Sequence, residues 1–500
     1  MWPIAARPVN KAINSRELRQ QLLTAGMYPV GGTRAELAQK IRDDSAPWAR
    51  GHQGRRLCRV MKSRQGSTRP NIIFIVADDL GFADLGCYGG RAPVSPVLDY
   101  LAAAGIKFTQ AYSNSPVCSP PRFALMTARY QYRLRGAAEE PINSKARTST
   151  VLGLPPDHPT LPSLLHAAGY RTALMGKWHL GYPPAFGPLR SGYDEFFGPM
   201  AGGVDYFTHC NSTGVHDLWF GEQEKKENGY LTDLISQRAV DYVERMAQQD
   251  APFFLSLHYT APHWPWEGRG DEAVSATVAD NIFHLQGGNI HTYRRMIHHM
   301  DEGIGWVMKA LEKHGLCDNT LVVFTSDNGG ERFSDNWPLV GGKMDLTEGG
   351  IRVPWIAHWP ALIAPGNVSE QHCMTMDWSA TMLDAAGVAA HADYPLDGLS
   401  LMPVLRDANH RFARPLHWRM NHRSQRALRD GDWKYLKVDE HEYLFNIPAD
   451  ERERANRARL EPDRLATMRQ AWLDWNASMP PIPSDATVSR GFSVKDMPQR

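Results

Sequence analysis

Two pairs of oxygen-bearing side chains each follow a run with the composition of a buried strand. Asn71-Ile72-Ile73-Phe74-Ile75-Val76 leads into Asp78-Asp79, and Thr320 to Thr325 leads into Asp327-Asn328. Glycine follows both, at Gly81 and at Gly329-Gly330. In open α/β sheets ligands bind beyond the carboxyl ends of strands, so two such runs can converge on one cation. Asp and Asn offer only hard oxygen donors, which suit calcium or magnesium better than zinc or copper. Either pair alone reads equally well as a cap for the following turn. Both together favour a metal.

Further reactive types recur in short blocks. Cys118 lies between Pro116 and Pro120-Pro121, which restrict the backbone around it. An apolar helical pattern opens at Phe123 to Met126, which puts Cys118 near a helix N-terminus, where negative charge is favoured. Arg122 and Arg129 bring cations into the same stretch. An isolated cysteine of this kind is ordinarily a buried structural residue. In Gly176-Lys177-Trp178-His179-Leu180-Gly181 the lysine and histidine are two apart, and in extended chain they would face one target. His258-Tyr259-Thr260-Ala261-Pro262-His263-Trp264-Pro265 is a stiff loop after an apolar run, with His263 the functional candidate and His258 structural. His298 and His299 read as surface or packing residues. Gly341-Gly342-Lys343 opens a glycine-rich stretch ending at Gly349-Gly350-Ile351-Arg352-Val353-Pro354, where backbone can approach a ligand closely.

These residues need a frame. The unbroken apolar run at residues 71–76 suits a strand buried on both faces of a parallel sheet. Helices are predicted over Ser95 to Gly105, Thr160 to Ala168, Asp233 to Gln249 and His291 to His314. Strands are predicted at Lys107-Phe108, Tyr170 to Met175, Phe253 to Leu257 and Thr320 to Thr325. Alternating strands and helices give an α/β sandwich. After Arg414 come four short segments, Pro415 to Trp418, Gln425 to Arg429, Trp433 to Val438 and Glu442 to Asn446. They read as an antiparallel meander closed by a helix from Glu461 to Trp475. The expected division is an N-terminal extension over residues 1–60, a catalytic domain over 61–412 and a small α+β domain over 413–500.

Composition excludes several classes. With 55 Lys+Arg against 54 Asp+Glu, no basic surplus points to nucleic acid or an anionic membrane. The 6 cysteines are scattered without metal-finger spacing or a disulfide framework. No apolar run reaches the ~18–20 residues of a membrane span, and no signal-peptide core follows Met1. As written the chain reads as cytoplasmic, or periplasmic if its true start lies elsewhere.

Cys118-Ser119-Pro120-Pro121-Arg122-Phe123-Ala124-Leu125-Met126-Thr127-Ala128-Arg129 resembles the C-x-P-S-R-x-x-x-L/M-T-G-R signature of type I, formylglycine-dependent sulfatases, arylsulfatase A-like members of the alkaline phosphatase superfamily. Pro121 stands where Ser or Ala is usual, and Ala128 where Gly is usual. The block at 176–181 resembles the family's GKWHLG signature, His263 its APH block, and residues 341–354 its G-x-K-x-x-x-x-E-G-G-x-R-V-P pattern. The blocks occur in the family's order, and the tail through Arg429 to Tyr435 is similar to the family's C-terminal region.

The resemblance implies a large, mostly parallel sheet between helices and a small C-terminal antiparallel sheet with a packed helix. It implies hydrolysis of aryl or sugar sulfate monoesters, with Cys118 converted to formylglycine by a maturation enzyme. One calcium ion, in preference to magnesium, would be held by Asp78, Asp79, Asp327, Asn328 and residue 118. Arg122 and Lys177 would stabilise the nucleophile and the transferring charge, His179 would act as base, and His263 and Lys343 would bind the ester and assist the leaving alcohol. A formylglycine-dependent phosphonate or phosphodiester hydrolase and an unconverted, non-catalytic binder of sulfate esters are the alternatives. No nucleic acid or membrane span is expected. The segment Gly198 to Asn211, with Trp264 and Trp266, is expected to line the pocket. Residues 14–50 resemble instead the C-terminal end of tricarboxylate-type solute-binding receptors, with a helix from Arg16 to Leu23, a turn at Pro29 to Thr33 and a helix to Trp48. That points to a gene fusion or a start ahead of the true one, with Met61 a candidate start; a native extension is the alternative.

Overall fold

The computed structural model describes residues 69–278 and 281–490, and the elements expected within residues 1–60 lie outside them. The first half of the described chain runs β1 (Asn71–Ala77), α1 (Pro96–Ala104), β2 (Ile106–Phe108), β3 (Ala111–Tyr112), α2 (Ser119–Thr127), α3 (Leu161–Ala167), β4 (Arg171–Gly176), β5 (Glu195–Gly198), β6 (Trp219–Phe220), β7 (Gln223–Glu224), α4 (Leu231–Met246) and β8 (Phe253–His258). It continues with α5 (Glu272–Val278), α6 (Ile290–Lys313), β9 (Thr320–Ser326), α7 (Glu348–Ile351), β10 (Trp355–His358), β11 (Asn367–Ser369), β12 (Cys373–Met374), α8 (Thr375–Ala385) and α9 (Met402–Arg406). The C-terminal part is β13 (Leu416–Arg419), β14 (Arg426–Asp430), β15 (Trp433–Val438), β16 (His441–Asn446) and α10 (Pro462–Ala477).

One 10-stranded sheet, ordered β11-β2-β10-β9-β1-β8-β4-β5-β6-β7, forms the centre. β9, β1, β8, β4 and β5 are mutually parallel. β10 runs antiparallel between β9 and β2, and β6 and β7 add an antiparallel edge. The sheet is therefore mixed and mostly parallel, as expected. The apolar run at 71–76 is continuous because β1 is covered on both faces. Two helix groups flank the sheet: α1, α4 and α6 pack together, as do α2, α3 and α8. Among the described residues no helix is long and apolar enough to cross a membrane.

Local chemistry sets several ends. Thr160 caps α3 with a reciprocal Ser163 bond, and Asn289 accepts from the first amides of α6. The start of α1 is held from a distance: the Asp301 carboxylate accepts from the Val97 and Leu98 amides, both at 2.9 Å. Short strands such as β5, β6 and β11 went unpredicted, because two to four residues carry too little periodicity to register.

The four-stranded antiparallel sheet β13-β14-β15-β16 with α10 matches the expected meander. It shares its core with the loop carrying Cys118. Tyr112, Val117, Cys118 and Ala124 pack with Trp418, Ala427, Leu436 and Phe445. Gln425 clamps the stretch after Lys343, accepting from the Leu346 amide at 2.9 Å and donating to the Met344 carbonyl at 2.9 Å. Lys434 on β15 lies between Glu348 of α7 at 3.0 Å and Glu453 at 2.8 Å, all three buried. Removing a buried partner strands the remaining charges. Lys434→Met is expected to destabilise the protein by about 3–5 kcal/mol, read as a lowered urea midpoint. Lys313→Met, breaking an exposed pair with Glu244, should cost no more than about 1 kcal/mol.

Candidate active site

β9, β1, β8 and β4 are adjacent and parallel, so their carboxyl ends lie along one edge. Asp327-Asn328 follows β9, Asp78-Asp79 follows β1, the loop carrying His263 follows β8, and Lys177 follows β4. Cys118 immediately precedes α2, and Lys343 comes from the loop before α7. Prolines 120 and 121 fall in the first turn of α2, where amides have no intrahelical partner, so they do not disrupt it. Ala128, where the resembled signature has glycine, ends α2 in the left-handed region at φ 53°.

Three buried carboxylates are each matched by a cation. Lys177 Nζ lies 2.5 Å from Asp78 Oδ2, Lys343 Nζ lies 2.7 Å from Asp79 Oδ2, and Arg122 places Nη2 2.9 Å and Nε 3.1 Å from Asp327 Oδ2. Asp327 Oδ1 also accepts from the Asp79 amide at 3.3 Å, and Asn328 Nδ2 donates to Asp79 Oδ1 at 2.7 Å. Burial alone would raise the Asp79 carboxyl, but the Lys343 ammonium holds it down at about 2. Burial and the nearby Asp78 push the Asp327 carboxyl up, against Arg122.

These residues fit a hard cation. Ligand atoms of Asp78, Asp79, Cys118 and His263 all lie within 4.8 Å of one another. Asp78 Oδ1 and the Asn328 side-chain carbonyl Oδ1 are buried with no hydrogen-bond partner. Two orphaned oxygens beside crowded carboxylates are what a divalent ion would satisfy. Asp327 lies outside this group of four; both its oxygens accept from protein donors, as do those of Asp79, and a carboxylate has lone pairs to spare. His263, assigned from sequence only to the ester, joins the cluster because its ring folds back over Asp79, with Nε2 3.5 Å from Oδ2.

The histidines are neutral and oriented. His179 Nε2 donates to the Ile142 carbonyl at 2.7 Å, which leaves Nδ1 as a lone pair with no partner. Ile142 is itself held by its amide's bond to Ser119 Oγ at 2.9 Å. Burial, then Lys177, takes His179 well below the ordinary histidine value. His263 Nδ1 donates to the Trp264 carbonyl at 2.8 Å, and burial followed by Lys343 lowers it to about 3. Lys343 stays charged: burial opposes its ammonium, but Asp79 and further negative neighbours outweigh it. Burial pushes the Cys118 thiol up to about 12, so an unmodified thiol here is no nucleophile near neutrality.

A cavity of about 160 Å³ opens over these groups. Cys118, His179, His263 and Lys343 line it, while Lys177 and Arg122 sit beneath, almost wholly buried. Strand alternation does not set Lys177 and His179 as expected: β4 ends at Gly176 and His179 is left-handed at φ 61°. Asp79 at φ 63° and Met344 at φ 75° share that conformation, so the backbone is bent at three points of the site. Gly202, Gly203 and Trp264 line the cavity as expected. Trp266 does not: it is buried, with the Arg332 guanidinium 4.1 Å above its ring. Residues 205 and 206 are also buried away from the cavity. Sequence reasoning missed Glu331, Asn143, Ser144 and Ser489 on the cavity wall, which come from loops with no motif of their own.

Comparison with known proteins gives one answer. Residues 70–388 match the family described as Sulfatase, and residues 342–456 match "N-sulphoglucosamine sulphohydrolase, C-terminal". N-acetylgalactosamine-6-sulfatase of Rattus norvegicus is 34% identical over 368 residues, 70% of this chain and 68% of the relative. Arylsulfatase J of Mus musculus is 34% identical, over 68% of this chain and 56% of the relative. The chain thus spans about two thirds or less of the length of these curated relatives. The crystal structure of Ps i-CgsB in complex with k-i-k-neocarrahexaose superposes with TM-score 0.74 at 33% identity, over 83% of this chain and 94% of that one. The PsFucS1 sulfatase from Pseudoalteromonas sp. shares the fold, with TM-score 0.68 at 24% identity, over 88% of this chain and 95% of that one.

The orphaned oxygens generate a direct test. A divalent cation at about 100 times its dissociation constant should stabilise the protein by about 2.7 kcal/mol, seen as a raised thermal midpoint that a chelator reverses. Asn328→Leu should abolish most of that shift.

Proposed function

The chain belongs to the sulfatase family, and from that premise we propose that it hydrolyses sulfate monoesters of aryl or sugar alcohols, using a formylglycine made from Cys118 and one calcium ion. The observation that carries this reading is the meeting of Cys118, Lys343, His179 and His263 on one cavity above three charge-matched carboxylates. Relatives named for N-acetylgalactosamine 6-sulfate and steryl sulfate support the substrate class. The all-oxygen donors Asp78, Asp79, Asp327 and Asn328 favour calcium.

A sulfate monoester is a dispersed anion, so catalysis needs a strong nucleophile and fixed positive charge around the transferring group. The hydrated aldehyde at position 118 supplies two hydroxyls, one to attack sulfur in line and one to expel sulfate as the aldehyde re-forms. When bound, the ion held by the acidic residues supplies Lewis acidity and makes an otherwise balanced site positive. Arg122 and Lys177, fixed beneath residue 118 by their carboxylates, hold positive charge there without reorganising. His179 has the right tautomer for a base: Ile142 occupies Nε2, and Nδ1 is free to take the proton released in the elimination step. Lys343 keeps its protons and stands on the cavity wall, so it is the charged donor to the departing alcohol oxygen. His263 lines the cavity with Lys343 and is the second group placed to contact the ester.

Mass spectrometry of the peptide carrying residue 118, after thiol alkylation, tests the nucleophile. An aldehyde is expected from protein made with its maturation enzyme; a fully alkylatable thiol from the native host would refute formylglycine and favour a non-catalytic binder. Rates should favour 4-nitrophenyl sulfate over 4-nitrophenyl phosphate, the reverse favouring a phosphoester hydrolase. Lys343→Ala should lose about 10²–10⁴-fold more on esters of poor leaving groups than of good ones. His263→Ala should lose similarly on both.

A further inference from the structure

One wall of the cavity is not used by sulfate transfer. Glu331, in the loop after β9, lines it close to Lys343 and Trp264. Both its carboxylate oxygens are shielded and neither accepts a hydrogen bond from the protein. The Trp264 side chain is near enough to oppose the rise in its proton affinity, but the contact lacks hydrogen-bond geometry. The nearby cations are engaged elsewhere. Lys343 lies 2.7 Å from Asp79, and Arg332 stacks 4.1 Å over Trp266 and donates to the His284 carbonyl at 2.9 Å. A shielded carboxylate without donors is unfavourable in itself, and such a group on a cavity wall is satisfied when a ligand brings the donors. Beside it, the Trp264 and Phe283 rings, with centroids 4.7 Å apart, give the cavity an apolar face. An aromatic wall next to a carboxylate complements a sugar ring, which brings C–H groups to the one and hydroxyl donors to the other.

We propose that Glu331 determines substrate specificity: it accepts hydrogen bonds from hydroxyl or amide N–H groups on the ring that carries the sulfate, and it repels a second anionic group at that position. The proposal rests on the sulfate-ester reading of the site and narrows it, from aryl or sugar sulfates to hydroxylated sugar sulfates unsubstituted where they meet Glu331. An aryl sulfate brings no donor to this carboxylate.

The test compares wild type, Glu331→Gln and Glu331→Ala, all with residue 118 converted, on 4-nitrophenyl sulfate, a panel of monosulfated monosaccharides and their disulfated counterparts. Glu331→Ala should lower the ratio of kcat/KM for the preferred sugar sulfate over that for 4-nitrophenyl sulfate by about 10–100-fold, the range for a lost hydrogen bond to a charged group. The isosteric Glu331→Gln should lower the ratio less, while raising disulfated over monosulfated turnover by about 10-fold on the same basis. An unchanged ratio in both variants would overturn the proposal, as would equal losses on all substrates, or a wild type active on the aryl ester but on no sugar sulfate. A converted wild type inactive on every sulfate ester would instead refute the sulfatase reading itself.

Discussion

Three carboxylates taken out of water at the ends of neighbouring strands set the constraint on which the rest of this molecule turns. Asp78, Asp79 and Asp327 are each at most 3% exposed, and like charges so close cannot all stay ionised without compensation. Lys177, Lys343 and Arg122 provide it from three separate parts of the chain. Each cation fixes an element. Arg122 demands the placement of α2, and with it Cys118. Lys177 demands the end of β4, and Lys343 the loop before α7. Such buried pairs contribute little net stability, because desolvation offsets most of their attraction. Their effect is geometric: charge-matching holds the reactive positions at one cavity.

Support for this arrangement is layered outward. Ser119 holds Ile142, and the Ile142 carbonyl selects the His179 tautomer. Gln425, just before β14, and Lys434 of β15 grip the backbone after Lys343 and the start of α7. The C-terminal sheet is thus the back wall of the active-site loop as well as an appended module, since its apolar face packs with Cys118 and Val117. Buried histidines lose their charge to desolvation, whereas Lys343 keeps its own because Asp79 outweighs burial. The same buried site therefore places neutral imidazoles and a cation on one cavity.

Where local pattern decides structure, the sequence was legible. β1, β8 and β9 are mostly apolar because they are covered on both faces, and α6 and the meander β13 to β16 announced themselves by length and alternation. The short strands β5 to β7 and β11 were silent, having too few residues to show a period. Strand alternation did not place Lys177 and His179: a left-handed bend at His179, outside the strand, sets its ring on the cavity wall, while Lys177 pairs with Asp78. Trp266 was expected on the cavity wall from its type and position, but Arg332 covers its ring.

By itself, then, the sequence determined which residue types stand at the strand ends and in the short blocks, and through them the family. Those features are local: a few neighbours in the chain suffice to specify a strand end, a helix start or a motif. Which oxygens remain unpaired, which cation meets which carboxylate, and that His263 turns toward Asp79 were decided only by the tertiary structure. So was the placing of Glu331, its carboxylate oxygens shielded and unpartnered, on the cavity wall. Each depends on side chains as many as 264 residues apart, as Lys343 and Asp79 are, and on the loss of water around them. Spacing along the chain encodes neither.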